Sequence, residues 1–122
     1  MKTLFRRGLF AALIFFAPGV LHANDYKSIV LAGNTSLASP INISGDQFLV
    51  IKSFTQQGGV NRGTVTVMIG SQSAIVLTAS IVDNPTMLEP VNSLVVAGLA
   101  TVSVTCGSDA TTCFVTYRKE SN

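Results

Sequence analysis

The segments TVTVMI at residues 64–69 and TVSVTC at residues 101–106 decide the fold class of this 122-residue chain. In both segments polar residues alternate with apolar ones, so the valines of each segment share one face. A period of two is typical of a half-buried β-strand, because successive side chains point to opposite faces of a sheet. Since β-branched residues also dominate both segments, we interpret them as strands of a sheet that covers a core.

Outward from these two segments, the same pattern predicts about eight short strands. They lie at residues 27–32, 41–44, 47–55, 64–69, 74–81, 91–97, 100–106 and 113–118. Ser44-Gly45-Asp46 and Gly70-Ser71 predict tight turns between them, the latter because glycine tolerates a positive φ. Short strands at this spacing predict an all-β fold: a small antiparallel β-sandwich with jelly-roll or Ig-like connections, preferred here over a small barrel.

Residues 1–23 have the order of a secretory signal peptide. Basic residues at positions 2, 6 and 7 precede an apolar run over residues 8–16, and the segment ends at Leu21-His22-Ala23. The apolar run is shorter than the roughly 20 residues that span a bilayer. We therefore expect Sec-type export with cleavage after Ala23. This leaves one β domain over residues 24–122, secreted or periplasmic, with no membrane anchor.

Removal of residues 1–23 changes the charge of the protein. Three of the eight basic residues leave, so five remain against six acidic residues and the formal net charge becomes −1. A nearly neutral domain lacks the basic surface that nucleic acids attract, so we expect no nucleic-acid partner. Low net charge also favours self-association, which leaves a homo-oligomer and a monomer both open.

The residue types of the mature chain argue against catalysis. Its only histidine, His22, leaves with the signal segment, so a Ser-His-Asp triad and a histidine-ligated metal are both excluded. The six acidic residues are scattered over predicted turns and termini instead of forming a pair or a metal-ligand series. We therefore predict a protein that is not an enzyme, with no catalytic residues, no metal and no cofactor.

The two cysteines predict a structural disulfide. Cys106 and Cys113 are the only cysteines, and an exported protein meets oxidising conditions. A hairpin of the last two strands with Cys106 opposite Cys113 would place Val104 opposite Val115 and Val102 opposite Tyr117. This register sorts apolar side chains onto one face, which supports the pairing. Six intervening residues and the absence of histidine argue against a redox or metal role.

The segment 56–63, QQGGVNRG, is the longest non-apolar loop and is interpreted as a hairpin loop. Its glycines would let it adapt to a partner, and Arg62 offers a fork of donors that suits a carboxylate or glycan. We name Gln57, Asn61 and Arg62 as candidate binding residues.

The sequence thus predicts an exported, non-enzymatic β-sandwich with a binding role or a structural role in an envelope or extracellular assembly. Its partner would be an unidentified protein or glycan. The alternative is a small secreted inhibitor, or a ligand- or carbohydrate-binding module, that uses the 56–63 loop.

Overall fold

The computed structural model describes residues 25–83, 89 and 92–122, and in these residues the chain forms nine β-strands and no helix. The strands are β1 (Lys27–Ala32), β2 (Ile41–Ile43), β3 (Gln47–Gln57), β4 (Thr64–Ile69), β5 (Gln72–Thr78), β6 (Ser80–Ile81), β7 (Leu94–Ala97), β8 (Ala100–Thr105) and β9 (Thr112–Ser121). The all-β prediction is confirmed. The predicted signal peptide at 1–23 lies outside the described residues.

Two separate sheets form the sandwich, as predicted in preference to a barrel. The five-stranded sheet has the order β1-β9-β3-β6, and β7 also pairs with β3. The four-stranded sheet has the order β2-β8-β4-β5. All pairings are antiparallel except that of β3 with β6, which is parallel over two residues.

The chain passes repeatedly from one sheet to the other. It crosses between the sheets after β1, β2, β3, β5, β7 and β8. Among the described strands, only β4 and β5 follow each other along the chain and also pair as a hairpin. Their turn is the predicted Gly70-Ser71, with Gly70 at φ 63°, a conformation that favours glycine.

The strand predicted at residues 74–81 is wrong as a single element. The structure divides it at Ala79 into β5, in the four-stranded sheet, and β6, in the five-stranded sheet. Ala79 is fully buried, and its N–H donates to the carbonyl oxygen of Gly63 at 3.0 Å. The crossing therefore occurs inside an extended run of residues, where no glycine or proline marks it.

The predicted hairpin of the last two strands is also wrong. β8 pairs with β2 and β4, whereas β9 pairs with β1 and β3 in the opposite sheet. Alternate residues point into the core in both cases, whether two strands pair in one hairpin or lie in two sheets that face each other. Alternation therefore identified the buried faces correctly but could not show that they belong to different sheets. β3 and β4 also lie in different sheets, so the 56–63 segment connects the two sheets and is not a hairpin loop.

The core lies between the two inward faces. Its most completely buried apolar side chains are Phe54, Leu49, Ile51, Ile43, Val65, Val102, Val104 and Val115. Both strand segments from which the fold was predicted, β4 and β8, supply valines to this core. The burial of these side chains provides the main favourable free energy of folding.

Candidate functional site

The disulfide predicted between Cys106 and Cys113 is present and lies at one end of the sandwich. Both cysteines are buried, and their Cα atoms are 5.6 Å apart, within the usual range for a disulfide. Cys106 directly follows β8 and Cys113 lies in β9, so the bond joins the two sheets. It stabilises the sandwich at the same end as the 56–63 segment.

A buried glutamine holds the 56–63 segment in place. Gln56 is almost fully buried at the end of β3, where its amide nitrogen donates to the carbonyl oxygens of Gly58 and Asn61, both at 3.0 Å. Its amide oxygen accepts the N–H of Gly63 at 2.8 Å. These bonds satisfy the buried amide and close the loop on itself, as buried polar groups require.

The side-chain carboxylates of two aspartates also bind the backbone of this loop. Asp83 accepts the N–H of Gly58 at 2.9 Å, and Asp109 accepts the N–H groups of Val60 and Asn61 at 3.0 and 2.9 Å. The bonds from Val60 and Asn61 lower the pKa of Asp109 below its ordinary value, because they stabilise the charged carboxylate. The loop is therefore tied at several backbone positions, which differs from the adaptable loop expected from its glycines.

Arg62 is engaged within the molecule. Its guanidinium binds both carboxylate oxygens of Glu89 at 2.5 Å and also donates to the carbonyl oxygen of Ala79 at 2.9 Å. The hydrogen bonds from Arg62 and from the N–H of Ile81 lower the pKa of Glu89 to about 2, because both stabilise its charged form. Glu89 in turn raises the pKa of Arg62. The guanidinium of Arg62, which the sequence suggested as a binding group for a partner, is therefore paired with a carboxylate of the same chain.

The three candidate binding residues lie on one segment but do not form a cluster. Gln57 is exposed at the end of β3 and accepts a weak hydrogen bond from Thr112 at 3.5 Å, whereas Arg62 turns toward Glu89. In the described part of the chain no hydrogen bond joins Gln57, Asn61 and Arg62 to one another. Their role in binding, and the inhibitor or ligand-binding module that depends on it, stay predictions.

The most exposed apolar strand is β5, at the edge of the four-stranded sheet. It pairs only with β4, and six of its seven residues are exposed. Ile75 is 63% exposed and Val76 38%. An edge strand presents unpaired N–H and C=O groups, and natural proteins commonly protect such edges with charges or proline. No charged residue and no proline occurs from Gly63 to Val82, so this edge lacks these two forms of protection and has only a β-bulge.

A β-bulge and an apolar groove accompany this edge. Val65 pairs with Leu77 and Thr66 with Ile75, so Val76 is an extra residue in β5. Beside it lies a groove of about 400 Å³, lined by Val67, Ile69, Gln72, Ser73, Ala74 and Val76. The sequence does not reveal this edge directly, because the apolar run from Ala74 to Leu77 is equally typical of a buried strand. The uncharged run from Gly63 to Val82 is the signal that could have found it.

The described residues contain neither a cluster of metal-ligand side chains nor a helix that could cross a membrane. Over 25–83, 89 and 92–122, no group of three or more histidine, cysteine or acidic side chains could hold a metal ion. In the same ranges no helix has the length and apolar character needed to cross a membrane.

Comparison with known proteins finds a structural likeness and no sequence family. No family model and no curated protein sequence matches the chain. Its structure is similar to that of a protein from Bacillus endospore appendages, which form a family of disulfide-linked pili. The TM-score is 0.50 at 18% identity, over 80% of this chain and 86% of the other. At this identity the likeness shows a shared fold.

Proposed function

We propose that this protein is an exported, non-enzymatic subunit that associates with copies of itself to build an extracellular or envelope structure. Residues 1–23 would direct its export and be cleaved after Ala23, leaving the mature protein secreted or periplasmic. The proposal rests on a single observation: β5 is an exposed, uncharged edge strand with apolar side chains, and it pairs on one side only.

The chemistry of β5 favours a strand of another copy as its partner. A second strand could satisfy the unpaired backbone groups of β5 and cover Ile75 and Val76. Because no charged residue lies between Gly63 and Val82, identical chains meet no like-charge repulsion at this edge. The near-neutral mature chain lowers repulsion between whole molecules in the same way.

The structural likeness and the disulfide add support of a more general kind. A sandwich of this fold occurs in a protein of disulfide-linked pili, so the fold is compatible with assembly outside the cell. A buried disulfide between Cys106 and Cys113 also fits an oxidising compartment.

The test compares Ile75→Lys with Ser103→Lys in the mature protein purified after export. Ile75 lies on the edge strand, whereas Ser103 is exposed on the central strand β8 and cannot pair with another chain. Light scattering after size exclusion and negative-stain microscopy should show large assemblies for the unmodified protein and Ser103→Lys, and a loss of them for Ile75→Lys. Monomers in the unmodified protein, or equal assembly by both variants, would contradict the proposal.

A further inference from the structure

A groove with an apolar wall lies where β1 and β9 of the five-stranded sheet meet β2 of the four-stranded sheet. It has a volume of about 500 Å³, within the roughly 300–1,000 Å³ that small-molecule sites occupy. Its wall includes Ile29, Leu37 and Ile41. Ile29 and Leu37 are partly buried and pack against the core, so the wall is continuous with the apolar interior. An apolar ligand body placed here would leave water, which is favourable.

Two lysines line the same groove. Lys27 lies opposite Tyr117 in the pairing of β1 with β9, and Lys119 follows Tyr117 by two residues, so the three side chains share one face. The two lysines are therefore diagonal neighbours, a relation that places side chains roughly 7 Å apart. Because lysine has a flexible four-carbon stem, both ammonium groups can reach one small anion in the groove.

The positive charge of this groove is not balanced by a carboxylate of the chain. No acidic residue lines the groove, and Asp25, the acidic residue nearest to Lys27 in sequence, is exposed outside the lining. Among the described residues no ion pair involves Lys27 or Lys119, whereas Arg62 and Arg118 are each paired with a glutamate. The two lysines therefore present a local excess of positive charge, which an anion would offset.

Lys119 is partly buried and already held at the groove. Its ammonium group donates to the carbonyl oxygen of Asn42 at 3.0 Å. An ammonium group carries three N–H donors, so two remain for a ligand. Because this donor is ordered before a ligand arrives, less entropy is lost on binding than with a free side chain.

From these features we infer that the groove binds a carboxylate with an apolar body, such as a short fatty acid. Lys27 and Lys119 each donate to the carboxylate, and the apolar body lies along Ile29, Leu37 and Ile41. A single negative charge suits the site, because a dianionic phosphate would bring more charge beside an apolar wall, where desolvation is costly. β2 and β5 are the opposite edges of the four-stranded sheet, so this site is separate from the edge of the proposed function.

The experiment is equilibrium dialysis of the mature protein against octanoate, which measures binding whether or not the copies assemble. Acetate has the charge without the apolar body, and octanol has the apolar body without the charge. Each should bind about tenfold more weakly than octanoate, and octyl phosphate should bind no more tightly. Lys27→Gln and Lys119→Gln should each weaken octanoate binding about tenfold, because a charge-assisted hydrogen bond is lost.

The control is Lys52→Gln, which removes the same charge from an exposed lysine of β3 outside the groove. It should leave octanoate binding unchanged. Thermal melts verify that every variant is folded, and Lys27→Gln, at an exposed position, decides the question if Lys119→Gln does not fold. Absence of octanoate binding, equal binding of octanol, tighter binding of octyl phosphate, or an equal loss in Lys52→Gln would each overturn the inference.

Discussion

Val102 and Ile75 are β-branched aliphatic residues two strands apart in the same sheet, yet Val102 is fully buried and Ile75 is 63% exposed. Val102 lies in β8, which has β2 and β4 on either side and the five-stranded sheet across the core. Ile75 lies in β5, which pairs on one side only. The comparison shows that the place of a strand in the sheet, and not the residue type, decides whether a β-branched side chain is buried. In β8 such side chains build the core, and in β5 they lie on an exposed edge.

The largest effect expected from this comparison is at Val102. Val102→Asp buries an unpaired carboxylate and should lower the free energy of unfolding by more than about 4 kcal/mol, enough to unfold a domain of this size. Thr101→Asp, at a partly exposed position one residue earlier, should cost about 1 kcal/mol or less. Denaturant melts of both variants measure the difference. Equal losses would show that the described faces of β8 are wrong.

A smaller loss is expected when the bond between the two sheets is removed. The double variant Cys106→Ser and Cys113→Ser should lower the free energy of unfolding by about 2–3 kcal/mol, because the loop that the disulfide closes is short. The domain should remain folded, and intact mass should show a gain of about 2 Da on reduction only in the unmodified protein. An unfolded double variant would contradict this expectation, because the bond would then contribute more stability than its short loop allows.

The smallest effect concerns the ion pair beside the loop, and it depends on pH. Glu89 has its pKa lowered to about 2 by Arg62, so its contribution to stability is complete above about pH 4.5 and is lost as the pH falls toward 2. Arg62→Ala should therefore melt at a lower temperature than the unmodified protein at pH 7, and the gap should close near pH 2. Lys52→Ala, at an exposed lysine of β3, is the control. A gap that is independent of pH would contradict the assignment.

The sequence was sufficient for local properties and insufficient for long-range ones. Alternation in β4 and β8 identified these strands and their buried faces. The expected export to an oxidising compartment and the presence of two cysteines identified the disulfide. Whether Val102 pairs with Tyr117 in a hairpin or lies in a different sheet depends on pairing between distant segments, and alternation carries no information about that. The exposure of Ile75 depends in the same way on which strands lie beside β5. The partner of Arg62 was also hidden, because Glu89 is 27 residues away.

The pairing of the first strand with the last has a consequence for how the molecule folds. Lys27 of β1 lies opposite Tyr117 of β9, and β9 is also the long neighbour of β3. A chain that emerges with its N-terminus first therefore exposes β1 and β3 without their shared partner until nearly all residues have appeared. Contacts so distant in sequence make folding slow. Until β9 arrives, β1 has no paired strand and one edge of β3 is open, so a factor that shields nascent chains would act mainly on these two strands.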